Sequence, residues 1–174
     1  MNKNQKINAA TFSMLQKPCF ALARLPVYIF CLMLTSCSGM SPDPDLSVSS
    51  VKLVVDQDAN DNSATAVDLV VIYKKELLEA LQKMKARDYF KASEQIQRDY
   101  PGMVKIYRWE VVPGQIIGPQ PLSLCSFNFI TPCPIGGIVF ANYERPGEHR
   151  IRLGSIDDIQ IHLANTQFFI EPAE

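Results

Sequence analysis

The feature that most constrains this chain is a basic segment followed by an apolar run that ends at Cys37. Residues 1–24 contain four lysine and arginine side chains and no acidic one, and residues 25–34 are apolar. Thr35 and Ser36 then place small residues directly before the cysteine. This order is typical of a secretory signal peptide that is cleaved at a lipobox, after which acyl chains are attached to the new N-terminal cysteine. We therefore predict that residues 1–36 are removed and that Cys37 is lipidated.

An uncleaved inner-membrane anchor is the alternative interpretation of the same segment. A transmembrane helix needs roughly 20 apolar residues, and Arg24 and Pro26 interrupt the stretch between Cys19 and Leu34. Cleavage is therefore favoured. Ser38, and not the aspartate associated with inner-membrane retention, follows Cys37, which predicts a lipid-anchored protein of the outer membrane, on its periplasmic side.

The charge of the predicted mature part excludes one class of partner. Four of the 17 Lys and Arg residues precede Cys37 but none of the 18 Asp and Glu, which leaves 13 cationic against 18 acidic side chains and a formal charge of −5. A nucleic-acid partner requires a basic surface that releases counterions, and binding to anionic lipid usually requires a polybasic segment. We predict no nucleic-acid partner and attachment to the membrane through the lipid anchor.

Two cysteines besides Cys37 remain in the predicted mature part, Cys125 and Cys133. Disulfides persist in an oxidising compartment such as the periplasm, so we predict a bridge between these two residues; two buried free thiols are the alternative. Neither His149 nor His162 lies at zinc-finger spacing from them, and two thiols alone do not complete a tetrahedral zinc site. No metal and no cofactor is predicted.

The pattern of apolar residues predicts one β-rich domain over residues 51–174, preceded by a flexible polar tether over residues 37–50. Runs rich in β-branched residues predict strands at 51–55, 66–73, 103–112, 136–143 and 149–153, and two more within 156–170. The period changes to that of an amphipathic helix within residues 74–99, which predicts a helical insertion after the second strand. Residues 115–135 contain four prolines and both cysteines, and predict a long structured loop or a short edge element.

The polar loop between the first two predicted strands resembles a calcium loop only superficially. Asp61 stands where an EF-hand requires glycine, and Val67 stands where it requires glutamate. No nucleophile elbow, phosphate-binding glycine loop or metalloprotease helix is present in the sequence. Asp157 and Asp158 are adjacent on a predicted strand, so they point to opposite faces. We predict a binding or scaffolding protein and not an enzyme.

The order of these elements resembles TssJ, the lipoprotein family of type VI secretion systems. The resemblance rests on residues 58–64 followed by residues 67–73, and on residues 138–146, which include Asn142, Arg145 and Pro146. It implies a transthyretin-like two-sheet β-sandwich with a helical insertion after the second strand. It also implies that the loop between the first two strands binds a partner, here through Asp58, Asn60, Asp61 and Asn62.

The resemblance further implies a function and a partner. Members of this family hold the periplasmic C-terminal domain of the inner-membrane protein TssM, and so connect the two membranes. A scaffold subunit of a type VI-like secretion system, with a TssM-like partner, is therefore the expected function. A pilotin-like lipoprotein that escorts an outer-membrane secretin is the alternative, and a ligand-binding or enzymatic lipoprotein is a third hypothesis. This chain lacks the proline that usually follows the loop asparagine, since Asp61 follows Asn60.

Overall fold

The computed structural model describes residues 46–125 and 133–173. The predicted signal peptide, Cys37 and the first part of the predicted tether lie outside the described residues. No helix within the described ranges is long and apolar enough to cross a membrane.

Within the described ranges, eight strands form two four-stranded sheets. The strands are β1 (Ser50–Val55), β2 (Thr65–Ile72), β3 (Val104–Val111), β4 (Ile116–Pro121), β5 (Gly136–Ala141), β6 (Arg150–Leu153), β7 (Asp158–Leu163) and β8 (Phe168–Pro172). The first sheet has the order β4-β1-β7-β8 and the second has the order β3-β2-β5-β6. Neighbouring strands are antiparallel except β1 and β7, which run parallel.

The alternation of β1 shows how the first sheet packs. Val51, Leu53 and Val55 are buried between the sheets, whereas Lys52 and Val54 on the opposite face remain partly exposed. Successive side chains of a strand point to opposite faces, so the first sheet buries one face. The predicted two-sheet β-sandwich is confirmed.

The second sheet is buried on both faces because two helices cover its outer side. These are α1 (Lys75–Leu81) and α2 (Ala86–Asp99), which together form the predicted helical insertion. Along β2, Leu69 packs between the sheets while Val70 packs against the helices. On the helix side the ring of Tyr89 stacks on that of Phe140, with ring centroids 4.0 Å apart.

Two parts of the chain differ from what the sequence predicted. The sequence predicted that the tether ends at residue 50, and this boundary is wrong. Leu46 and Val48 are only 1% and 4% exposed and belong to the core between the sheets. The sandwich therefore includes residues 46–49, which were predicted to be part of the tether. Within the proline-rich segment, β4 is the short edge element that was one of two predicted outcomes; it pairs with β1 and is an edge strand of the first sheet among the described residues.

Candidate interaction surface

Four loops meet at one end of the sandwich, which we call the loop end: residues 56–64, 112–115, 142–149 and 164–167. The strand directions require this arrangement. β1 and β7 are parallel and both end here, and β3 and β5, which are antiparallel to β2, end where β2 begins. At the opposite end, which we call the entry end, residues 46–49 join the domain. A backbone hydrogen bond from Ile156 to Ser47 fixes them there.

The first loop contains an uncommon backbone conformation. Residues Ala59–Asn62 form one tight turn in which Asn60, Asp61 and Asn62 have φ angles of 49°, 53° and 62°. Left-handed conformation costs most residues roughly 1–2 kcal/mol, and asparagine and aspartate tolerate it best because their short side chains bond locally. Three such residues in succession persist only where their surroundings hold them in place.

Asn60 is the residue that holds this turn. Its side chain is 1% exposed, its Oδ1 accepts a hydrogen bond of 2.7 Å from the backbone N–H of Glu144, and its Nδ2 donates to the carbonyl of Ala64 at 3.2 Å. Both ends of the buried amide are therefore satisfied. Asn60 fixes the turn against the β5–β6 loop and is not available to contact a partner directly.

Asp61 makes a second connection between the same two loops. The Nε and Nη2 of Arg145 donate to its two carboxylate oxygens at 2.7 Å each. Both side chains remain solvent-accessible, at 40% for Asp61 and 56% for Arg145. The hydrogen bonds from Arg145 hold the pKa of Asp61 below its usual value, so the pair is charged throughout the neutral range.

The remaining loops are attached by side chains that bond to backbone carbonyls. Asn165 donates from Nδ2 to the carbonyl of Asp58 at 2.8 Å. The buried Tyr143 hydroxyl lies 3.0 Å from the carbonyl oxygen of Ala164 and 2.8 Å from that of Gln167. The N–H of Gly114 also donates to the carbonyl of Asp56 at 3.0 Å. All four loops are thus connected by hydrogen bonds, which fix the position of the turn.

Apolar side chains lie beside the turn on the open face of the first sheet. Strand pairing aligns Ile116, Val54, His162 and Phe169 across all four strands. Ile116 is 66% exposed and Phe169 is 41% exposed, and the imidazole of His162 bonds to Asp56 at 2.8 Å. Directly opposed residues in neighbouring strands share a face, so these side chains form one row that extends to the loop.

The structure separates the four predicted partner-binding residues into two kinds. Asp58 and Asn62 are exposed, and Asp61 is exposed but paired, whereas Asn60 is buried. Sequence reasoning missed Arg145 as the partner of Asp61, because nothing local links residues 84 positions apart. It also missed Phe169, although the alternation around its buried neighbour Phe168 was a usable signal.

The other predicted site residues have less to do with this surface. Cys125 and Cys133 are joined in a disulfide, with Cα atoms 4.8 Å apart. The described residues contain no group of three or more His, Cys, Asp or Glu side chains that could hold a metal ion. His149 packs its ring on Tyr143, 4.7 Å between centroids, and its Nε2 lies 2.9 Å from the carbonyl of Arg145.

The fold defines a class of protein: a two-sheet β-sandwich with helices over one sheet, as found in type VI secretion lipoproteins. The T6SS lipoprotein TssJ1 from Pseudomonas aeruginosa matches with a TM-score of 0.55 at 15% identity, over 75% of this chain and 98% of that one. A chain of a structure described as a type VI membrane complex matches with a TM-score of 0.50 at 12% identity, over 72% and 100% of the two chains. At these identities the likeness concerns the fold.

Comparison of the sequence with known protein families and curated proteins finds no match. The resemblance to TssJ that the sequence indicated is confirmed at the level of the fold alone.

Proposed function

We propose that this chain is a TssJ-like scaffold subunit of a type VI-like secretion system. In this proposal Cys37 carries the lipid that anchors the chain to the outer membrane, on the periplasmic side. The loop end binds the periplasmic C-terminal domain of a TssM-like inner-membrane protein, so that the chain connects the two membranes. The likeness of the whole domain to two type VI secretion structures supports this assignment.

The observation that carries the proposal is the position of the fixed turn relative to the point where the chain enters the domain. The polypeptide enters beside Ser47 and passes along β1, whose last residue leads directly into the loop of Asn60. A strand of six residues spans roughly 17–20 Å. An anchor that precedes residue 46 therefore attaches the domain at its entry end, and the loop end is the end of β1 that lies farther from the attachment.

The chemistry of the loop end also fits a protein partner. Three of the four exposed large hydrophobic side chains of the described residues, namely Val112, Ile116 and Phe169, lie at or beside it. Protein interfaces combine an apolar centre with a polar rim, and here the exposed Asp58 and Asn62 stand next to the apolar row. A preorganised turn also reduces the entropy that is lost on binding.

The pilotin alternative has less support in the described residues. A pilotin would need an apolar groove for a secretin peptide, and the helical insertion was the element expected to supply it. The apolar side chains of the insertion, including Leu77, Leu81 and Ile96, instead pack on the second sheet. The open depression of about 380 Å³ between α2 and the β5–β6 loop is lined mainly by polar and charged side chains, among them Arg87, Lys91 and Glu144.

The test is a crosslinked pull-down of the tagged full chain from membranes, with bound proteins identified by mass spectrometry. We expect the wild type to recover an inner-membrane protein with a periplasmic C-terminal domain. We expect the double variant Asp58→Lys with Asn62→Lys to lose it, because both side chains lie on the exposed face of the turn. Cys37→Ser should give a folded protein that is released from the membrane.

The matched control is Glu94→Lys with Gln97→Lys, which makes the same change of charge on the exposed face of α2. This control should keep the partner. Recovery of a secretin in place of the inner-membrane protein would favour the pilotin, and an unchanged yield from the loop variant would contradict the proposed surface. A co-purifying small molecule without a protein partner would exclude both scaffold and pilotin.

A further inference from the structure

The outer edge of β3 differs from the other three sheet edges of the described residues. The edge strand β4 contains Pro119 and Pro121 and pairs with β1 through a register shift. β6 has only four residues, and β8 has five and ends at Pro172. β3 has eight residues, contains neither proline nor glycine, and pairs with β2 without interruption. Proline, bulges and short length protect an edge strand from pairing with another chain, and β3 has none of the three.

The backbone pairing shows which groups of β3 point outwards. The N–H of Tyr73 donates to the carbonyl of Met103 at 3.0 Å, and residues of an antiparallel ladder bond in alternation. The odd-numbered residues of β3 therefore bond to β2. The backbone groups that face outwards are those of Val104, Ile106, Arg108 and Glu110. Of the other backbone hydrogen bonds within residues 46–125 and 133–173, none involves these four residues.

The charged side chains of β3 do not repel a second β3 strand. Lys105 is engaged on the between-sheets side, where its Nζ donates to the carbonyl of Ser123 at 3.0 Å. Arg108 and Glu110 are exposed and lie two positions apart, so they share the opposite face. If two β3 strands run antiparallel and meet at Trp109, Arg108 of each copy lies opposite Glu110 of the other. Opposite charges that face each other across a strand pair are favourable.

We propose that this chain forms a symmetric dimer in which two antiparallel β3 strands join the second sheets of two copies into one continuous sheet. Trp109 of one copy lies opposite Trp109 of the other. Each pair of Arg108 and Glu110 exchanges two backbone hydrogen bonds. Ile106 lies opposite Val112, which is 53% exposed in a single copy. The edge accepts a second copy because the strand is complementary to itself in this register.

Other registers of the same strand pair lack this complementarity. A dimer centred on Arg108 or on Glu110 places two like charges directly opposite each other, which is destabilising. A dimer centred on Tyr107 places the two charges opposite apolar side chains, those of Ile106 and the buried Val104. Among these registers, the proposed one alone pairs opposite charges.

The surroundings of Arg108 fit a second carboxylate on its outer side. Its Nε lies 3.4 Å from Oδ2 of the buried Asp68 on β2, and 45% of its side chain is exposed. A guanidinium has five N–H donors, so donors remain for an acceptor beyond the edge. In the dimer Glu110 of the second copy takes that place. The charges then alternate across three strands, from Asp68 to Arg108 to Glu110.

The interface is small, and the lipid anchor of the proposed function supports it. Pairing through one edge strand lies at the low end of interface sizes, below roughly 1,200 Å². Acyl chains confine both copies to one membrane and raise their effective concentration. The copies run in opposite directions, and the chain between Cys37 and Leu46 reaches up to about 30 Å, so both lipids can enter the same leaflet. The inference therefore rests on the anchor, but it does not involve the turn of Asn60.

The test is disulfide crosslinking of the lipidated full chain in isolated membranes, read as a dimer on a non-reducing gel. Trp109→Cys puts two thiols directly opposite each other, with Cα atoms about 4.5 Å apart, which is within disulfide reach. The matched control is Tyr107→Cys on the same face of β3. Tyr107 lies opposite Val111 of the second copy, so the control thiols are offset by roughly 13 Å along the strands.

We expect Trp109→Cys to form a crosslinked dimer and Tyr107→Cys to form about tenfold less, since its thiols are beyond disulfide reach. Adding Glu110→Lys to Trp109→Cys should remove most of the crosslink, because it places a second cation opposite Arg108. Adding Glu79→Lys, on the exposed face of α1, should leave the crosslink unchanged.

No crosslink from either cysteine variant, or equal crosslinking of both, would overturn the dimer. A crosslink from Tyr107→Cys alone would overturn its register. The loop variant Asp58→Lys with Asn62→Lys should keep the crosslink; if it does so while wild type and loop variant recover the same proteins, the proposed function fails and the dimer stands.

A second variant keeps the test decisive if Trp109→Cys does not fold by circular dichroism. The double variant Ile106→Cys with Val112→Cys places thiols at two positions that lie opposite each other across the dimer. It should crosslink in membranes, and its failure to do so would overturn the inference.

Discussion

The Oδ1 atom of Asn60 accepts a hydrogen bond of 2.7 Å from the backbone N–H of Glu144, 84 residues further along the chain. This contact joins the β1–β2 loop to the β5–β6 loop through a side chain that is 1% exposed. It explains why three successive residues can remain in left-handed conformation. Asn60 is therefore a residue that positions the proposed binding surface.

The first prediction concerns Asn60→Ala. The substitution leaves the N–H of Glu144 without its acceptor and places alanine at a φ of 49°. A buried donor left unsatisfied costs about 1–3 kcal/mol, and the loss of asparagine in left-handed conformation adds to it. We expect the free energy of unfolding in urea to fall by about 2–4 kcal/mol.

Asn62→Ala is the control for this prediction. Residue 62 has a φ of 62°, but its side chain is exposed. The control therefore carries the backbone cost without the buried hydrogen bond, and the difference between the two variants measures the contribution of the Asn60 amide. Equal losses in both would mean that the contact with Glu144 contributes nothing.

The second prediction concerns pH and the pair of Asp61 and Arg145. Hydrogen bonds from Arg145 lower the pKa of Asp61 in the folded protein, so the pair stabilises the fold above the unfolded pKa near 3.8 and this is lost as the pH falls through the folded pKa. We expect Arg145→Gln to be less stable than the wild type at pH 7 and equally stable below the folded pKa. NMR titration of the Asp61 carboxyl should show its pKa rising towards 3.8 in the variant.

The third prediction has the opposite sign and concerns Asp68. This carboxylate is 3% exposed, and burial raises its pKa although Tyr89 donates a hydrogen bond at 2.8 Å and the half-exposed Arg108 lies 3.4 Å away. Stability that is present below the unfolded pKa is therefore lost as the pH rises through the folded pKa. We expect Asp68→Asn to be at least as stable as the wild type at pH 7, with the difference vanishing below about pH 4.

Tyr89→Phe provides the control, because it leaves the carboxylate buried without its donor. We expect it to cost about 1–3 kcal/mol at pH 7. Urea unfolding of the three proteins between pH 3 and pH 8 gives the comparison. A strongly destabilised Asp68→Asn would show that the charge of Asp68, and not its burial, decides the balance.

Strand positions could be predicted because period-2 alternation is a local property. Val51, Leu53 and Val55 show it in β1, and the continuous apolar run of β2 indicated a strand that is covered on both faces. The helical insertion followed in the same way from the change of period after Tyr73. In each case the buried residues are recognised from their immediate neighbours in sequence.

The candidate site could be predicted only in part, because its contacts are not local. The run of Asn60, Asp61 and Asn62 indicated a turn, but the choice of Asn60 as the buried member depends on Glu144, which is distant in sequence. Leu46 and Val48 alternate with serines next to prolines, so their composition resembles that of a tether. The burial of Leu46 depends on the space above Gly137, which lacks a side chain.

The fourth prediction concerns the bridge between Cys125 and Cys133, which closes a loop over a sequence separation of eight residues. In the chain-entropy model a loop of this size stabilises the fold by about 2–3 kcal/mol. We expect Cys125→Ser, and reduction of the wild type, to lower the free energy of unfolding by that amount. Mass spectrometry after alkylation without reductant should find both cysteines unmodified, and labelling of both thiols would contradict the bridge.

The last prediction tests where the domain begins. If residue 46 belonged to a flexible tether, Leu46→Ala would leave stability unchanged. Leu46 is instead 1% exposed and packs against Gly137 and the core between the sheets, and truncation of a buried leucine to alanine costs about 2–5 kcal/mol. We expect a loss in that range by urea unfolding, and no measurable loss from Ser49→Ala, whose side chain is exposed. A neutral Leu46→Ala would mean that residue 46 belongs to the tether and that the domain begins further along the chain.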